Sequence, residues 1–291
     1  MTSPSPPTDR VVRVLDLLGN HPGEPMSFTD IARRLELSRA TCHAVLTSLT
    51  DAGYVLRNDD KTFLLGPSLI ALGRSAERSY PHFPAVRSII AELAAETNRS
   101  CVLTAVNGAV LTVLGYEGKP PQGEHSAAGN RIPFAAPFGV AHAAWATEDA
   151  VRQWVDRGAE IGAGRFEQTD QLLTEVRKRG FSVSPLERER RQLWELFELV
   201  QKGLLSDDLR QLIARSTGPI GHDYLWEEIN RPTVPVSSIS TPVFSAPGRT
   251  TFVIHLEVLD NALPRAELRR LAGRLVATAQ RCSEQIAELT S

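Results

Sequence analysis

Apolar residues at Val11, Val12, Val14, Leu15, Leu17 and Leu18 recur at three-to-four spacing, which predicts a helix that opens near Thr8 and ends at His21-Pro22-Gly23 and Pro25. Ser27, three residues before Asp30, predicts an N-capped second helix over Phe28–Glu36 with Ile31, Ala32 and Leu35 on one face. After a very short link, Ser38 caps a third helix whose inner positions are Cys42, Val45, Leu46 and Leu49, and Gly53 supplies the left-handed stop. Two β-type runs, Tyr54–Arg57 and Thr62–Leu65, flank the turn-rich Asn58-Asp59-Asp60-Lys61. Three short helices followed by a hairpin are the plan of a winged helix. The short link lets the third helix project across the second, as a helix-turn-helix requires.

Beyond this the pattern predicts a bridging helix over 67–79 and a boundary at Tyr80-Pro81-His82-Phe83-Pro84, where two prolines fall. An amphipathic helix over 85–97 precedes a hairpin of 101–106 and 110–116 around Asn107-Gly108. Helices follow at 137–146, 148–157 and 168–179, a strand at 181–184, and helical stretches at 187–204 and 207–216. Strands at 236–245 and 251–259 around Ala246-Pro247-Gly248-Arg249, then a long helix over 264–289, complete the reading. Helices mixed with antiparallel strands make the second domain α+β, a central antiparallel sheet covered by helices. The organisation is therefore a disordered tail (1–7), a winged helix-turn-helix domain (8–66), a linker helix (67–80) and an α+β domain (81–291).

Length and composition are compatible with this plan. The chain has 291 residues, 42% hydrophobic and 23% charged, room for about two domains of 100–200 residues each. The longest apolar runs fall well short of the roughly 20 residues that span a bilayer, and MTSPSPPTDR lacks the apolar core of a signal peptide. A cytoplasmic protein with no membrane association is expected. Cys42, Cys101 and Cys282 are odd in number and widely spaced, so they suggest neither a disulfide framework nor a metal site, and no cofactor is implied. A net charge of −2 argues against non-specific coating of nucleic acid but not against a specific reader with one small basic face. Residues 1–66 hold seven Arg/Lys against eight Asp/Glu, so DNA binding must depend on where those charges lie.

The strongest constellation is on the third helix. With Cys42, Val45 and Leu49 turned inward, Arg39, Ala40, His43 and Thr47 share the outward side, and Thr41 lies at its edge. An Arg at the start of such a helix can make paired hydrogen bonds to guanine, and Thr or His can reach bases or phosphates. The Ser38 cap presents the helix N-terminus to a phosphate. Arg57 and Lys61 of the hairpin suit backbone phosphates, whereas Asp59 and Asp60 at its tip repel them. The same positions also fit an ordinary solvated helix face.

The run DIARRLELSRATCHAVLTSLTDAGYVLRNDDKTFLLGPSLIALG resembles the N-terminal domain of the IclR family of bacterial transcriptional regulators. Further along, Gly129-Asn130-Arg131-Ile132-Pro133-Phe134, Phe138-Gly139-Val140-Ala141, Arg179-Gly180-Phe181 and Ser240-Thr241-Pro242-Val243-Phe244 resemble, in order, landmarks of the family's effector-binding domain. The resemblance implies a winged helix joined by a helix to a GAF-like effector-binding domain, assembling as a homodimer or a dimer of dimers on a pseudo-palindromic operator. It also implies repression or activation of genes that handle small organic metabolites, often aromatic or carboxylic acids. Three departures stand out: Ala44 where the family often has Arg or Lys, Val140 where Gly-Lys-Ala is frequent, and a long stretch between Phe181 and Val236 that suits a lid or a contact surface.

By the same resemblance, a ligand is held by polar side chains of the final sheet and by the loop entering the 137–146 helix. Candidate ligand-binding residues are Phe134, Phe138, Gly139, His142, Ser238, Ser240, His255 and Glu257. Val140 and the apolar residues of the last strand suggest an apolar or aromatic effector. Phe134 and Phe138 equally fit a plain core, His255 and Glu257 the solvent face of a half-buried strand, and His142 a surface position. An enzyme is not expected: there is no Gly-x-Ser-x-Gly elbow, Walker loop or His-Glu-x-x-His, and Cys101 has no base near it in sequence. The other reading is a ligand-independent DNA-binding regulator whose second domain serves only oligomerisation.

Overall fold

The computed structural model describes residues 6–19, 21, 23–78, 80, 82–119, 129, 131–161, 167–186, 211 and 223–290. Chain contacts divide it into two units, Met1–Pro81 and His82–Ser291. The helical stretches expected at 187–204 and, apart from Gln211, at 207–216 lie outside the described residues, as does Asn130.

In the first unit α1 (Pro6–Gly19) leads to β1 (Met26–Ser27), α2 (Phe28–Arg34), α3 (Arg39–Asp51), β2 (Val55–Arg57), β3 (Thr62–Leu65) and α4 (Ser68–Arg78). Ser27 caps α2 reciprocally: its Oγ accepts from Asp30 N at 3.1 Å and donates to the Asp30 carboxylate at 2.7 Å. Helix α2 stops two residues earlier than its apolar pattern suggests. Glu36 takes φ +53°, and Leu37 N reaches back to Ala32 O at 2.9 Å, which turns the chain toward α3. Strand β1, only two residues long, adds to the hairpin in the order β1-β3-β2 and was not evident from the sequence. Val14, Leu18, Ile31, Cys42, Leu46, Leu49 and Val55 close the core between helices and sheet. Helix α4 buries none of its residues, although its sequence is amphipathic.

Two glycines fix where the hairpin leaves this core. Gly53 takes φ +72° after α3, and Gly66 N donates to Tyr54 O at 2.7 Å. A Cβ on Gly66 would lie 2.2 Å from the Gly53 carbonyl oxygen, which is backbone and cannot swing aside.

The second unit is one six-stranded antiparallel sheet, and the expected α+β architecture with a central antiparallel sheet is present. Its elements are α5 (Phe83–Thr97), β4 (Cys101–Asn107), β5 (Val110–Glu117), β6 (Arg131–Pro133), α6 (Val140–Ala143), α7 (Glu148–Glu160), α8 (Thr169–Arg179), β7 (Ser182–Pro185), α9 (Trp226–Ile229), β8 (Thr233–Ala246), β9 (Arg249–Pro264) and α10 (Arg265–Thr290). Strand order is β6-β5-β4-β9-β8-β7. The stripe Leu268, Leu271, Leu275, Ala279, Cys282 and Ile286 of α10 packs with α5 over one face of the sheet, on Cys101, Leu103, Ile239, Val243, Phe252, Ile254 and Leu256. A second core, built by α6, α7 and α8 with Phe134 and Trp154, forms beside it, and α6 lies against β8 and β9.

Two expectations need correction. The helix expected over 137–146 is only the four residues of α6. Gly139 takes φ +77° at its N-cap, and Thr147 caps the next helix by accepting from Ala150 N. The central strands run longer than their apolar cores, to 14 and 16 residues, because register shifts let β8 and β9 bend while staying paired.

Gly66→Ala is expected to lower the stability of the first unit by about 1–3 kcal/mol, the usual cost of forcing an atom into packed backbone. Urea denaturation followed by circular dichroism measures this, and an unchanged midpoint would contradict the close approach.

Candidate functional site

On α3 the N-cap Ser38 accepts from Thr41 N at 3.2 Å, and its Oγ lies 2.9 Å from the Thr41 hydroxyl, so the first turn is satisfied by its own side chains. Arg39, Ala40, His43 and Thr47 are exposed, Thr41 is half-buried, and His43 Nδ1 lies 3.4 Å from Thr47 Oγ1. The Arg39 guanidinium sits 5.5 Å from the centroid of the Phe28 ring on α2, and that of Arg57 lies 5.9 Å from the Phe63 ring on β3. The sequence reading named both arginines but not the aromatic rings beneath them. Lys61 stands at the exposed hairpin tip with φ +66°. Asp60 turns back into its own hairpin, accepting from Thr62 N at 3.0 Å and Thr62 Oγ1 at 2.6 Å, and these bonds lower its pKa. The acid at the tip therefore spends hydrogen-bonding capacity on the turn.

In the second unit the pairing of β8 with β9 sets Ser240 opposite His255 and Ser238 opposite Glu257. Strand alternation places these four on the face turned away from the α5–α10 core. Pairing with β7 adds Ser182 and Ser184 to the same two rows, and β4 sets Thr104 opposite Val253 and Val102 opposite His255. No strand position in these rows is Arg or Lys. From α6, His142 reaches the face: its Nε2 lies 3.0 Å from Thr104 Oγ1, which lies 2.8 Å from His255 Nε2, and His255 Nδ1 is 2.8 Å from Ser240 Oγ. Ser184 donates to Asp223 at 2.7 Å.

Thus His142, Ser240 and His255, three of the candidate ligand residues, join one hydrogen-bonded chain, with Ser238 and Glu257 in the adjoining row. The hub, Thr104, was not singled out from sequence. Its spacing within a strand of mostly apolar residues gives no sign of a polar partner 151 residues away. His142 is not the surface histidine its helical setting suggested. It is buried, and burial, with His255 beside it, pushes its pKa down to about 3. Burial also pushes the Cys101 thiol up to about 12, so it stays protonated.

Phe134 is buried in the second core, its ring edge-on to His142 at 6.2 Å between centroids. Its carbonyl accepts from Arg157 Nε at 2.7 Å, and the half-buried Phe138 gives its carbonyl to Trp154 Nε1 at 2.7 Å. Gly139 begins α6, and a Cβ there would come within 3.0 Å of the Phe134 ring. These bonds hold the loop entering α6 against the core. Among the described residues no cluster of His, Cys, Asp and Glu could hold a metal ion, and no helix is long and apolar enough to cross a membrane.

The first unit is thus a helix-turn-helix with a small hairpin sheet, and the second a six-stranded sheet domain with one polar face. Residues 7–59 match the IclR helix-turn-helix domain. It is 27% identical over 143 residues to the HTH-type transcriptional regulator XynR of Escherichia coli (strain K12). That match covers 48% of this chain and 56% of XynR, little more than half of the relative's length. In fold it is similar to an IclR transcriptional regulator from Alicyclobacillus acidocaldarius, with a TM-score of 0.67 at 21% identity over 98% of this chain and all of that one. It is also similar to an IclR homologue from Microbacterium hydrocarbonoxydans complexed with 4-hydroxybenzoate, with a TM-score of 0.58 at 17% identity over 96% and 98% of the two chains.

The buried His142 generates a pH dependence. Its folded pKa lies below the ordinary value of about 6.5, so its contribution is fully present above that value and is lost as pH falls toward 3. Across that window stability should fall by up to about 1.4 kcal/mol per pH unit from this group, and His142→Gln should remove that component. Unfolding free energies measured from pH 7 to pH 4 test it; equal slopes for both proteins would mean that His142 is not held neutral.

Proposed function

We propose that this protein is a sequence-specific DNA-binding transcriptional regulator whose second unit binds a small organic effector that changes operator affinity. The observation that carries the first part is the exposed face of Arg39, Ala40, His43 and Thr47 on a capped helix within an IclR helix-turn-helix domain. In this reading Arg39 recognises a base edge, Ser38, Thr41, His43 and Thr47 complete the contact with bases and phosphates, and Arg57 and Lys61 grip the backbone on either side. The platform of Phe28 under Arg39 holds the guanidinium before DNA arrives and so reduces the entropy lost on binding.

The effector reading is supported by the polar sheet face and the loop of Phe134, Phe138 and Gly139 beside it. A relative of the same fold was solved with 4-hydroxybenzoate, which makes a small organic molecule the kind of ligand proposed here. An effector can move operator affinity by no more than its own preference between the two states of the protein.

Homodimerisation completes the proposal. Ile70 and Leu72 on α4 are 62% and 53% exposed, an apolar surface that a second copy would cover. A dimer sets two α3 helices in successive major grooves of a pseudo-palindromic operator, roughly 10 bp apart.

Arg39→Ala should weaken operator binding by about 1–3 kcal/mol and relax the preference at one base pair, measured by fluorescence anisotropy on the protein's own upstream DNA against scrambled competitor. Unchanged affinity and preference would remove α3 from the interface. In light scattering, the paired change Ile70→Glu and Leu72→Glu should halve the molecular mass of a dimer. A mass that stays the same would move the dimer contact elsewhere.

A further inference from the structure

Both ring nitrogens of His255 are already engaged within the protein, Nδ1 with Ser240 and Nε2 with Thr104. The same Thr104 hydroxyl meets Nε2 of His142. Four side chains from α6, β4, β9 and β8 thus form one continuous chain of hydrogen bonds, three of them on residues less than a tenth exposed. A molecule lying on this face does not gain an imidazole nitrogen of His255 without breaking a bond. The group with capacity left is the Ser240 hydroxyl, which can still either donate or accept.

We propose that Thr104 locks His142 and His255 into opposite tautomers, so that the hydrogen-bonding sense of whatever meets Ser240 is copied to the imidazole on α6. The copying rests on reading this face as the effector site; the lock itself does not. A threonine hydroxyl has one proton to give. When Thr104 gives it to His142 Nε2, His255 must donate its Nε2–H to Thr104. The bare Nδ1 of His255 then takes the Ser240 proton, and Ser240 can only accept from a ligand. When His142 donates instead, Thr104 gives its proton to His255 Nε2, and His255 donates Nδ1–H to Ser240. The Ser240 proton is then available to a ligand. A group that can only donate, such as an ammonium, selects the first arrangement, a carbonyl or carboxylate selects the second, and a hydroxyl, which can do either, selects neither.

Of the two remaining arrangements, Nδ1–H on both rings leaves one Nε2 lone pair without a donor, since Thr104 has a single proton, and Nε2–H on both rings strands the Thr104 proton. Among the described residues that hydroxyl has no partner besides the two imidazoles, and Thr104 is 3% exposed. Burial of His142 opposes a second proton on its ring, so its state is a choice between tautomers and not of charge. Thr104 and His142 are accordingly positioning residues: neither needs to touch the ligand, yet together they set what Ser240 offers.

The test is long-range proton–nitrogen correlation NMR on the full chain labelled at histidine ring nitrogens, near neutral pH and without ligand. Opposite tautomers are expected for His142 and His255 in the unmodified protein. Ser240→Ala removes the acceptor for Nδ1–H, and an N–H with no acceptor is worse than a lone pair with no donor. That variant should therefore show Nε2–H on His255 and Nδ1–H on His142, whichever of the two arrangements the unmodified protein holds. Adding Thr104→Val should free His142 from the Ser240 change, and Thr104→Ser in its place should restore the coupling. The same tautomer on both rings, or Nε2–H on His142 in Ser240→Ala, overturns the lock. Because no ligand is present, such a failure leaves the effector reading standing. Conversely, an intact tautomer pattern in a protein whose operator binding responds to no effector would end the effector reading alone.

Discussion

The second unit depends above all on the register of β8 against β9. With a side-chain period of two, that register decides which residues enter the α5–α10 core and which form the polar face, and a slip of one residue exchanges the two sets entirely. Phe252, Ile254 and Leu256 fall inward against the stripe of α10, whose leucines and alanines repeat at three and four residues to meet them. Given that burial, His255 and Glu257 have no choice but the other face. The core therefore fixes the position of the polar groups more strongly than any interaction among those groups could. Each of their hydrogen bonds contributes about 1 kcal/mol net, against roughly 1.5–3 kcal/mol for each large side chain buried on the opposite side.

The first unit resolves the same conflict between polar groups and packing in the opposite way. There the side chains proposed to meet DNA are left at the surface, and the packing beneath them supplies orientation. Cys42, Leu46 and Leu49 hold α3 by one side, and the Phe28 and Phe63 rings then underlie the arginines on its exposed edge and on the hairpin. A net acidic domain can still present a basic contact because few cations are needed where they are placed, and because Asp60 is turned into its own hairpin. If this face meets DNA as proposed, the small number of cations favours selectivity over strength: few phosphate contacts imply a modest salt-dependent component and a proportionally larger role for base contacts.

Much of this was legible from the amino-acid pattern, and the reasons are local. Ser27 with Asp30, Ser38, and Gly53 are signals read within four residues, and the helix starts and the stop they mark are where the pattern places them. Long apolar stripes such as that of α10 are equally plain. Failures came where long-range pairing governs. Strands β1 and β6 are two and three residues long and exist only because a neighbour offers an edge. Helix α6 was overestimated because Gly139 was read as part of a helical run, when its positive φ serves to start the helix against the Phe134 ring. His142 and Thr104 were misread or missed for a related reason. Burial of a polar side chain follows from a partner, and the partner lies 38 residues away.

That dependence on partners bears on how the polar face can respond to anything bound there. In a low-dielectric setting a satisfied chain of hydrogen bonds is stable, and a half-satisfied one is costly. A ligand that engages this face therefore cannot change one bond alone; the cost of leaving Thr104 or either imidazole unmatched forces the remaining bonds to rearrange together. Helix α6 carries His142 and also packs on α7 and α8, so the rearrangement ends on an element shared with the second core. A surface carboxylate or hydroxyl would pass such a change to water, whereas buried side chains that are each other's partners pass it to the fold.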